Sequence, residues 1–393
     1  MKIAVLKECR PHEKRVAATP DTVKKMVKIG LSVGIEQGAG LNASIADSGY
    51  RDAGATVIAE LSELLATADI VLKVQRPMYG IDSGRDELSA MKSGSALVGL
   101  LSPLSHPEDI SAYAEQNITS FALELLPRIT RAQGMDALSS QSNLAGFRAV
   151  IDAAHEYNRA FPMMMTAAGT IRPAHVLVLG AGVAGLQAIA TAKRLGAVVT
   201  AFDVRAAARE EAKSLGASVI EVEDNEAFSS QTAAGYAREM TDQYKEKQSA
   251  KIGEALISQD IVICTALVPG RTAPILISEQ QLKNMKRGSV VVDLAVSQGG
   301  NCAGSEEGKI VEKHDVKIIG HANFPARIAA DASELYARNI LNFITPLIDV
   351  KAGKLAINLE DEIVHDTMLT HSGRIVHPTL KGKEPALATS KSS

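Results

Sequence analysis

The chain has 393 residues, 46% hydrophobic and 22% charged, which suits a globular protein of two domains with a core in each. A formal net charge of −3, 4% aromatic residues and no tryptophan argue against a nucleic-acid partner, because they offer neither a basic patch nor a stacking platform. No apolar run reaches the ~18 residues of a membrane span, and MKIAVLKE enters a strand pattern directly, so neither a span of its own nor a signal peptide is expected.

In chain order, short apolar runs alternate with helical patterns. Strands are predicted at KIAVL, SVGIE, DIVLKV, SALVGLL and ITSFALEL. Helices fit between them, as at Asp21–Ile29, opened by Pro20 and closed by Gly30, and at His106–Gln116. A long alanine-rich helix is predicted at about Leu144–Phe161. Six more strand patterns follow: HVLVLG, VVTAFD, SVIEV, DIVICTAL, SVVVDLAV and VKIIGH. A second long helix, at about Ala329–Ile344, would carry the chain back to its first domain. The predicted class is α/β, with two Rossmann-like doubly wound parallel-sheet domains joined by long helices and a cleft between them. Residues 1–137 plus 328–380 would form the first domain and 138–327 the second, with 381–393 a flexible tail. A polar insertion at about 224–250, containing GYAREM, exceeds what a strand-to-helix connection needs. It reads either as a binding loop or as a solvated helix with a frayed start.

The most specific local pattern is HVLVLGAGVAG at 175–185. A strand breaks at Gly180, Gly182 and Gly185, a helix pattern follows, and the next strand ends on Asp203. This is the dinucleotide fingerprint: Gly180 for the tight turn, Gly182 for backbone approach to the pyrophosphate, Gly185 for helix–strand packing. The helix N-terminus offers N–H groups to phosphate. Asp203 suits the free ribose hydroxyls of NAD(H); Arg205, two residues on, would be the feature favouring NADP.

RITRAQGMDALSSQSN at 128–143 packs arginines, amides, an aspartate and serines beside a predicted domain boundary. It reads either as a polar ligand-binding loop or as a charged turn in which Ser142 or Asn143 caps the following helix. No metal site is expected: His12, His106, His155, His321 and the other histidines lack metal-ligand spacing. Cys9, Cys264 and Cys302 are too far apart for a zinc motif and read as thiols in a reducing compartment. Hydrolase-elbow and P-loop motifs are absent from the sequence. Asp69 and Asp293 lie at strand ends, where carboxylates usually cap turns.

KECRPHEKRVAATPDTVKKMVKIG at 7–30 resembles the amino-terminal signature shared by alanine dehydrogenases and the α subunits of NAD(P) transhydrogenases. RITRAQGMDALSSQSNLAGFRAVIDAA, the glycine block from Phe161 to Ala197, DVRAA, GYAREM and TALVPG resemble the transhydrogenase branch. The resemblance spans about residues 1–380 and points to domain I of the proton-translocating transhydrogenases. It implies that NAD(H) binds here and NADP(H) on a separate domain III, with a membrane domain II coupling hydride transfer to proton movement. Since family α subunits often continue into membrane helices, the chain resembles a separate α1 polypeptide or a shortened α subunit. A homodimer is implied, cytoplasmic and peripherally attached to the inner membrane through partner subunits.

By the same matching, Arg128, Gln133 and Asp136 are implied as catalytic residues at the nicotinamide end, with Ile129, Thr130 and Ser139 beside the cofactor. Gly180, Gly182, Val183, Ala184 and Gly185 would take the pyrophosphate; Asp203, Val204 and Arg205 the adenosine ribose. Gly235 and Tyr236 fall in a loop that closes over nucleotide, and Leu267 would line the site. The rival enzyme is alanine dehydrogenase, whose relatives use a lysine and a histidine for proton transfer. Lys73 matches the lysine, but Leu100, Leu101 and Ser102 stand around the expected histidine and His106 comes later. A non-catalytic NAD(H)-sensing module is the other alternative.

Overall fold

A computed structural model describes residues 1–80, 84–222, 240–267 and 270–380. They fall into two units, Met1–Gln141 with the chain from Ile328 onward, and Ser142–Arg327. The helix Ala137–Glu156 carries the chain from the first unit into the second.

The first unit begins with six parallel strands: β1 (Lys2–Val5), β2 (Ser32–Glu36), β3 (Thr56–Ile58), β4 (Ile70–Gln75), β5 (Ala96–Leu100) and β6 (Thr119–Ala122). The second contains a small hairpin, β7 (Met164–Thr166) and β8 (Gly169–Ile171), then β9 (His175–Leu179), β10 (Val198–Phe202), β11 (Ser218–Val219), β12 (Ile261–Cys264), β13 (Val290–Asp293), β14 (Lys309–Lys313) and β15 (Val316–Gly320). The returning chain adds a hairpin, β16 (Ile348–Asp349) and β17 (Lys354–Leu355), then β18 (Met368–His371) and β19 (Arg374–Ile375) on the first sheet.

The first sheet runs β19-β18-β6-β5-β4-β1-β2-β3 and the second β11-β10-β9-β12-β13-β15-β14. Each is doubly wound, reversing direction between its first strand and the strand on the far side, β1/β4 and β9/β12. Ligands of open α/β sheets sit outside the carboxyl ends of the strands at such a switch point. Parallel sheets must be covered on both faces, and period-two alternation does this here. Ile3 and Val5 enter one core layer of the first sheet, Ala4 and Leu6 the other. Val176 and Val178 face one layer of the second sheet, Leu177 and Leu179 the opposite one.

Helix Pro20–Lys28 forms as expected, with proline at its first position and a Thr19–Thr22 capping box. The return helix Ala329–Ile344 lies on the first sheet, its Tyr336 hydroxyl donating to the Lys73 carbonyl at 2.8 Å and Phe343 meeting Phe121 edge to face. Several predicted strands are longer than the observed ones. ITSFALEL and SVVVDLAV turn into 3-10 turns at Leu123 and Val296, and SVIEV pairs only at Ser218 and Val219. Strands β14, β18 and β19 are antiparallel additions too short or too polar to stand out by periodicity.

The linking helix begins at Ala137 and ends at Glu156, rather than running from Leu144 to Phe161. Its cap is Asp136 and not Ser142 or Asn143: Asp136 Oδ1 accepts the Ser139 backbone N–H at 2.8 Å. The stretch 137–143 lacks the apolar spacing that marks a helix, yet a cap at Asp136 allows it to coil. Within the second unit, Gly146 on this helix leaves no room for a side chain, since a Cβ there would lie 2.0 Å from the Ala184 carbonyl oxygen. Gly146→Ala is therefore expected to destabilise the second unit by ~1–3 kcal/mol or more. A thermal unfolding scan of the variant checks this, and an unchanged midpoint would show that the close approach is not needed.

Candidate functional site: a dinucleotide loop and a polar 3-10 turn

In the second unit, the glycine loop sits at the carboxyl end of β9, on the switch point. Gly180 has φ +98°, a conformation that disfavours any side chain, and a Cβ there would meet Thr265 Oγ1 at 2.7 Å. Gly185 is sterically obligatory, because its Cβ would lie 1.8 Å from the Gly180 carbonyl oxygen. Helix Val183–Arg194 starts from Gly182, which has no side chain to cap it. The first N–H groups of the helix are therefore left to serve an anion. Val183 is 43% exposed while Gly185 is buried. The loop thus presents one side outward and packs the other.

Asp203, at the end of β10, is buried and fully engaged. Its Oδ2 accepts from Ala181 N at 2.8 Å and Arg205 Nη2 at 2.7 Å; its Oδ1 accepts from Arg205 N at 2.8 Å and Nε at 2.9 Å. A carboxylate offers about four acceptor positions, so all are taken, two of them by the Arg205 guanidinium fork. Val204 is half-buried between these two residues.

Across the switch point, the segment after β12 is held in a way the sequence did not suggest. Thr265 Oγ1 donates to the Gly180 carbonyl at 2.7 Å. Asn301, fully buried, accepts from Ala266 N at 3.0 Å and donates to Ala266 O at 2.9 Å and Pro274 O at 2.8 Å. Asp293 in turn anchors Asn301 N at 2.8 Å, along with Ala295 N, Cys302 N and Ser305 Oγ. Leu267 follows, 38% exposed, directly after this braced segment. Asn301 carries no local signature; only the QGGN turn beside Asp293 hinted at a special backbone. Burial, chiefly, with Asp293 nearby, pushes the Cys264 and Cys302 thiols up, Cys302 to about 12.

In the first unit, residues 130–135 form a 3-10 turn, Thr130–Met135. Asn339 and Asn342 of the return helix both donate to the Gly134 carbonyl, at 3.0 and 2.8 Å, and Arg131 forms a two-pronged ion pair with Asp361. Arg128, Thr130 and Gln133 are exposed on this turn and its approach, and Ile129 is half-buried. Asp136 and Ser139 are hydrogen-bonded to each other as part of the helix cap. Gly235 and Tyr236 lie outside the described residues.

Lys73 sits on β4 next to the first unit's switch point, 1% exposed. Its ammonium lies 2.8 Å from Glu87 Oε2 and 3.4 Å from Glu8 Oε2. Burial alone would lower its pKa, but Glu8 and Glu87 outweigh that and hold it above the ordinary lysine range. Neighbouring Glu13 is also buried, which raises its pKa, yet Arg15 draws it down to about 2. Where a histidine would face Lys73's strand, Ser102 ends β5 with φ 51°, and its N–H donates to Glu124. Burial pushes the Glu124 carboxyl up to about 7, and its Oε2 has no hydrogen-bond partner among the described residues. Asp69 Oδ2 accepts from Lys2 N at 2.8 Å, a strand-end role. Among the described residues, no cluster of histidine, cysteine or carboxylate side chains could hold a metal ion, and no helix is long and apolar enough to cross a membrane.

A doubly wound sheet with a glycine loop opening a helix at its switch point, and an aspartate ending the next strand, defines a Rossmann-type dinucleotide-binding protein. Family models described as alanine dehydrogenase/PNT match over residues 4–145 for the N-terminal domain and 149–378 for the C-terminal domain. The first of the polypeptides that make up the NAD(P) transhydrogenase α subunit of Rhodospirillum rubrum is 55% identical over 383 residues, 98% of this chain and all of that one. A solved transhydrogenase from Sinorhizobium meliloti superposes with a TM-score of 0.85 at 50% identity, over 96% of this chain and 100% of that one. A solved L-alanine dehydrogenase gives 0.78 at 26% identity, over 97% and 98%. The chain belongs to the alanine dehydrogenase/transhydrogenase family, and within it to the NAD(P) transhydrogenase α-subunit branch.

Two expectations follow from these geometries. Asn301→Ala leaves the Ala266 peptide unpaired and should weaken NADH binding by about tenfold, the effect of ~1–3 kcal/mol from unsatisfied groups. Fluorescence titration of NADH reads it, and Asn301→Asp, which retains an acceptor for Ala266 N, should recover part of the loss. Glu124 binds its proton more tightly folded than unfolded, where the value is 4.5. The folded state therefore loses stability as pH rises from about 4.5 to about 7, by ~3 kcal/mol. Urea unfolding at pH 5 and pH 8 should show that fall shrinking in Glu124→Gln.

Proposed function

We propose that this chain is the NAD(H)-binding component of a proton-translocating NAD(P) transhydrogenase. It passes hydride directly from NADH to NADP⁺ held by a partner domain III, coupled to proton movement through a membrane domain II. In this reading the chain is a homodimer on the cytoplasmic side of the inner membrane, attached through those partners.

The second unit's residues fit the dinucleotide. Gly180, Gly182 and Gly185, with the backbone of Val183 and Ala184, leave the helix N-terminus open to the pyrophosphate. Asp203 can accept the two ribose hydroxyls when the Arg205 fork moves aside, because that fork occupies two acceptor positions and a diol needs two. An aspartate so placed disfavours a 2′-phosphate. Val204, Leu267, Gly235 and Tyr236 complete the nucleotide contacts in this proposal.

Bound NADH supplies the hydride. Transfer between two nicotinamides takes no proton at the reacting carbons, so the chain's role is apposition, orientation and exclusion of water rather than acid–base chemistry. Arg128 would hold the carboxamide end and Gln133 would position the ring, with Ile129 and Thr130 beside them. Asp136 and Ser139 fix the turn that carries both.

One observation separates this from alanine dehydrogenase activity. Lys73 is clamped as an ammonium between Glu8 and Glu87, and Leu100–Ser102 supply no histidine. A lysine held in that state has no lone pair to accept a proton, and iminium chemistry needs such a group.

Stopped-flow transfer from NADH to an NADP⁺ analogue on an isolated domain III protein tests the proposal. Transfer should occur with the wild-type chain, and L-alanine with NAD⁺ should give no NADH. Gln133→Ala should slow transfer by about a hundredfold, the scale of a misplaced reactant, while NADH affinity changes little. An undiminished rate in that variant would remove Gln133 from the mechanism.

A further inference from the structure

We propose that the second unit carries an anion site, separate from the glycine loop, that binds a phosphate- or diphosphate-bearing ligand. It is a cavity of about 400 Å³ lined by Tyr157, Arg159, Arg172, His175, Asp260 and Lys286, with Pro173 in its wall. Each residue lies where the chain enters the sheet. Tyr157 and Arg159 follow the linking helix, Arg172 and His175 lead into β9, Asp260 immediately precedes β12, and Lys286 precedes β13.

The charge balance gives the cavity its sign. Asp260 is already engaged: Oδ2 accepts from His175 N at 2.9 Å and Oδ1 from Lys286 Nζ at 2.8 Å. Burial and then Asp260 push the Tyr157 phenol up, so it remains a neutral hydrogen-bond donor. The two arginines, both exposed, have no carboxylate partner among the described residues. Two uncompensated guanidinium groups in one concavity attract an anion, and their forked donors suit the paired oxygens of phosphate. Pro173 restricts the Arg172 backbone to extended conformations, which lowers the entropy lost on binding.

The cavity is not an extension of the dinucleotide site. It lies at the amino end of β9, and the glycine loop at the carboxyl end. Five extended residues separate them, roughly 16 Å at the strand rise. The pyrophosphate of a dinucleotide on the glycine loop cannot also reach Arg172.

Calorimetric titration of inorganic pyrophosphate into the full chain, at low salt and with NADH saturating, tests the site. The expected result is one pyrophosphate per chain, with affinity falling as KCl is added. Arg159→Ala and Arg172→Ala should each weaken it at least tenfold while NADH affinity and the thermal midpoint stay unchanged. Arg287→Ala, an exposed arginine outside the cavity, should leave it unaffected. The proposal is overturned if no pyrophosphate binds, if binding survives both cavity substitutions, or if Arg287→Ala weakens it equally. Binding seen without NADH that vanishes when NADH is added would assign it to the glycine loop and overturn it as well.

Discussion

The second unit is organised by backbone lying too close to backbone for side chains to intervene. The Gly185 Cα sits against the Gly180 carbonyl, and Gly146 against the Ala184 carbonyl. These approaches bring two helices and a strand end to one turn, and the turn's N–H groups are left pointing outward. A methyl group at either position would push a helix away and spoil that presentation. Thr265, Asn301 and Asp293 hold the neighbouring strand end against the same turn. The site is thus a by-product of tight packing, with its polar chemistry supplied by main chain.

The first unit has the same winding but fills its switch point differently. Its strand ends carry a buried network in which Lys73 is fixed by Glu8 and Glu87, Arg15 by Glu13 and Gln141, and Arg85 by Glu36 and Glu87. Removing any one partner would strand a charge in a low-dielectric interior. Such a network holds a fold in register and leaves no side chain free to exchange protons with a substrate. The family's dehydrogenase and transhydrogenase branches share the architecture, and the state of this lysine marks which chemistry this chain can support.

Arg205 illustrates why a motif is not yet a site. In the sequence it stood as the feature that would favour NADP. In the structure it lies on Asp203, where it neutralises the carboxylate and occupies the positions a ribose would use. Asp136 is similar: as a residue in a polar loop it read as a ligand contact, and it also starts the linking helix. One residue serves the fold and the proposed site together, because the loop and the helix share a boundary.

Alternation of apolar runs with helical spacing was enough to give the α/β class, the two windings and the glycine fingerprint, since those signals are local and repeat every few residues. Element ends were less legible. Short polar strands such as Lys309–Lys313 show no periodicity, and Asp136 caps a helix whose first turn is not apolar. What the tertiary structure alone decided are pairings distant in sequence: Asn301 with Ala266, Gly146 with Ala184, Lys73 with Glu8, Asp260 with His175. No local pattern encodes such a contact, because the partner's identity depends on which strands the sheet places side by side.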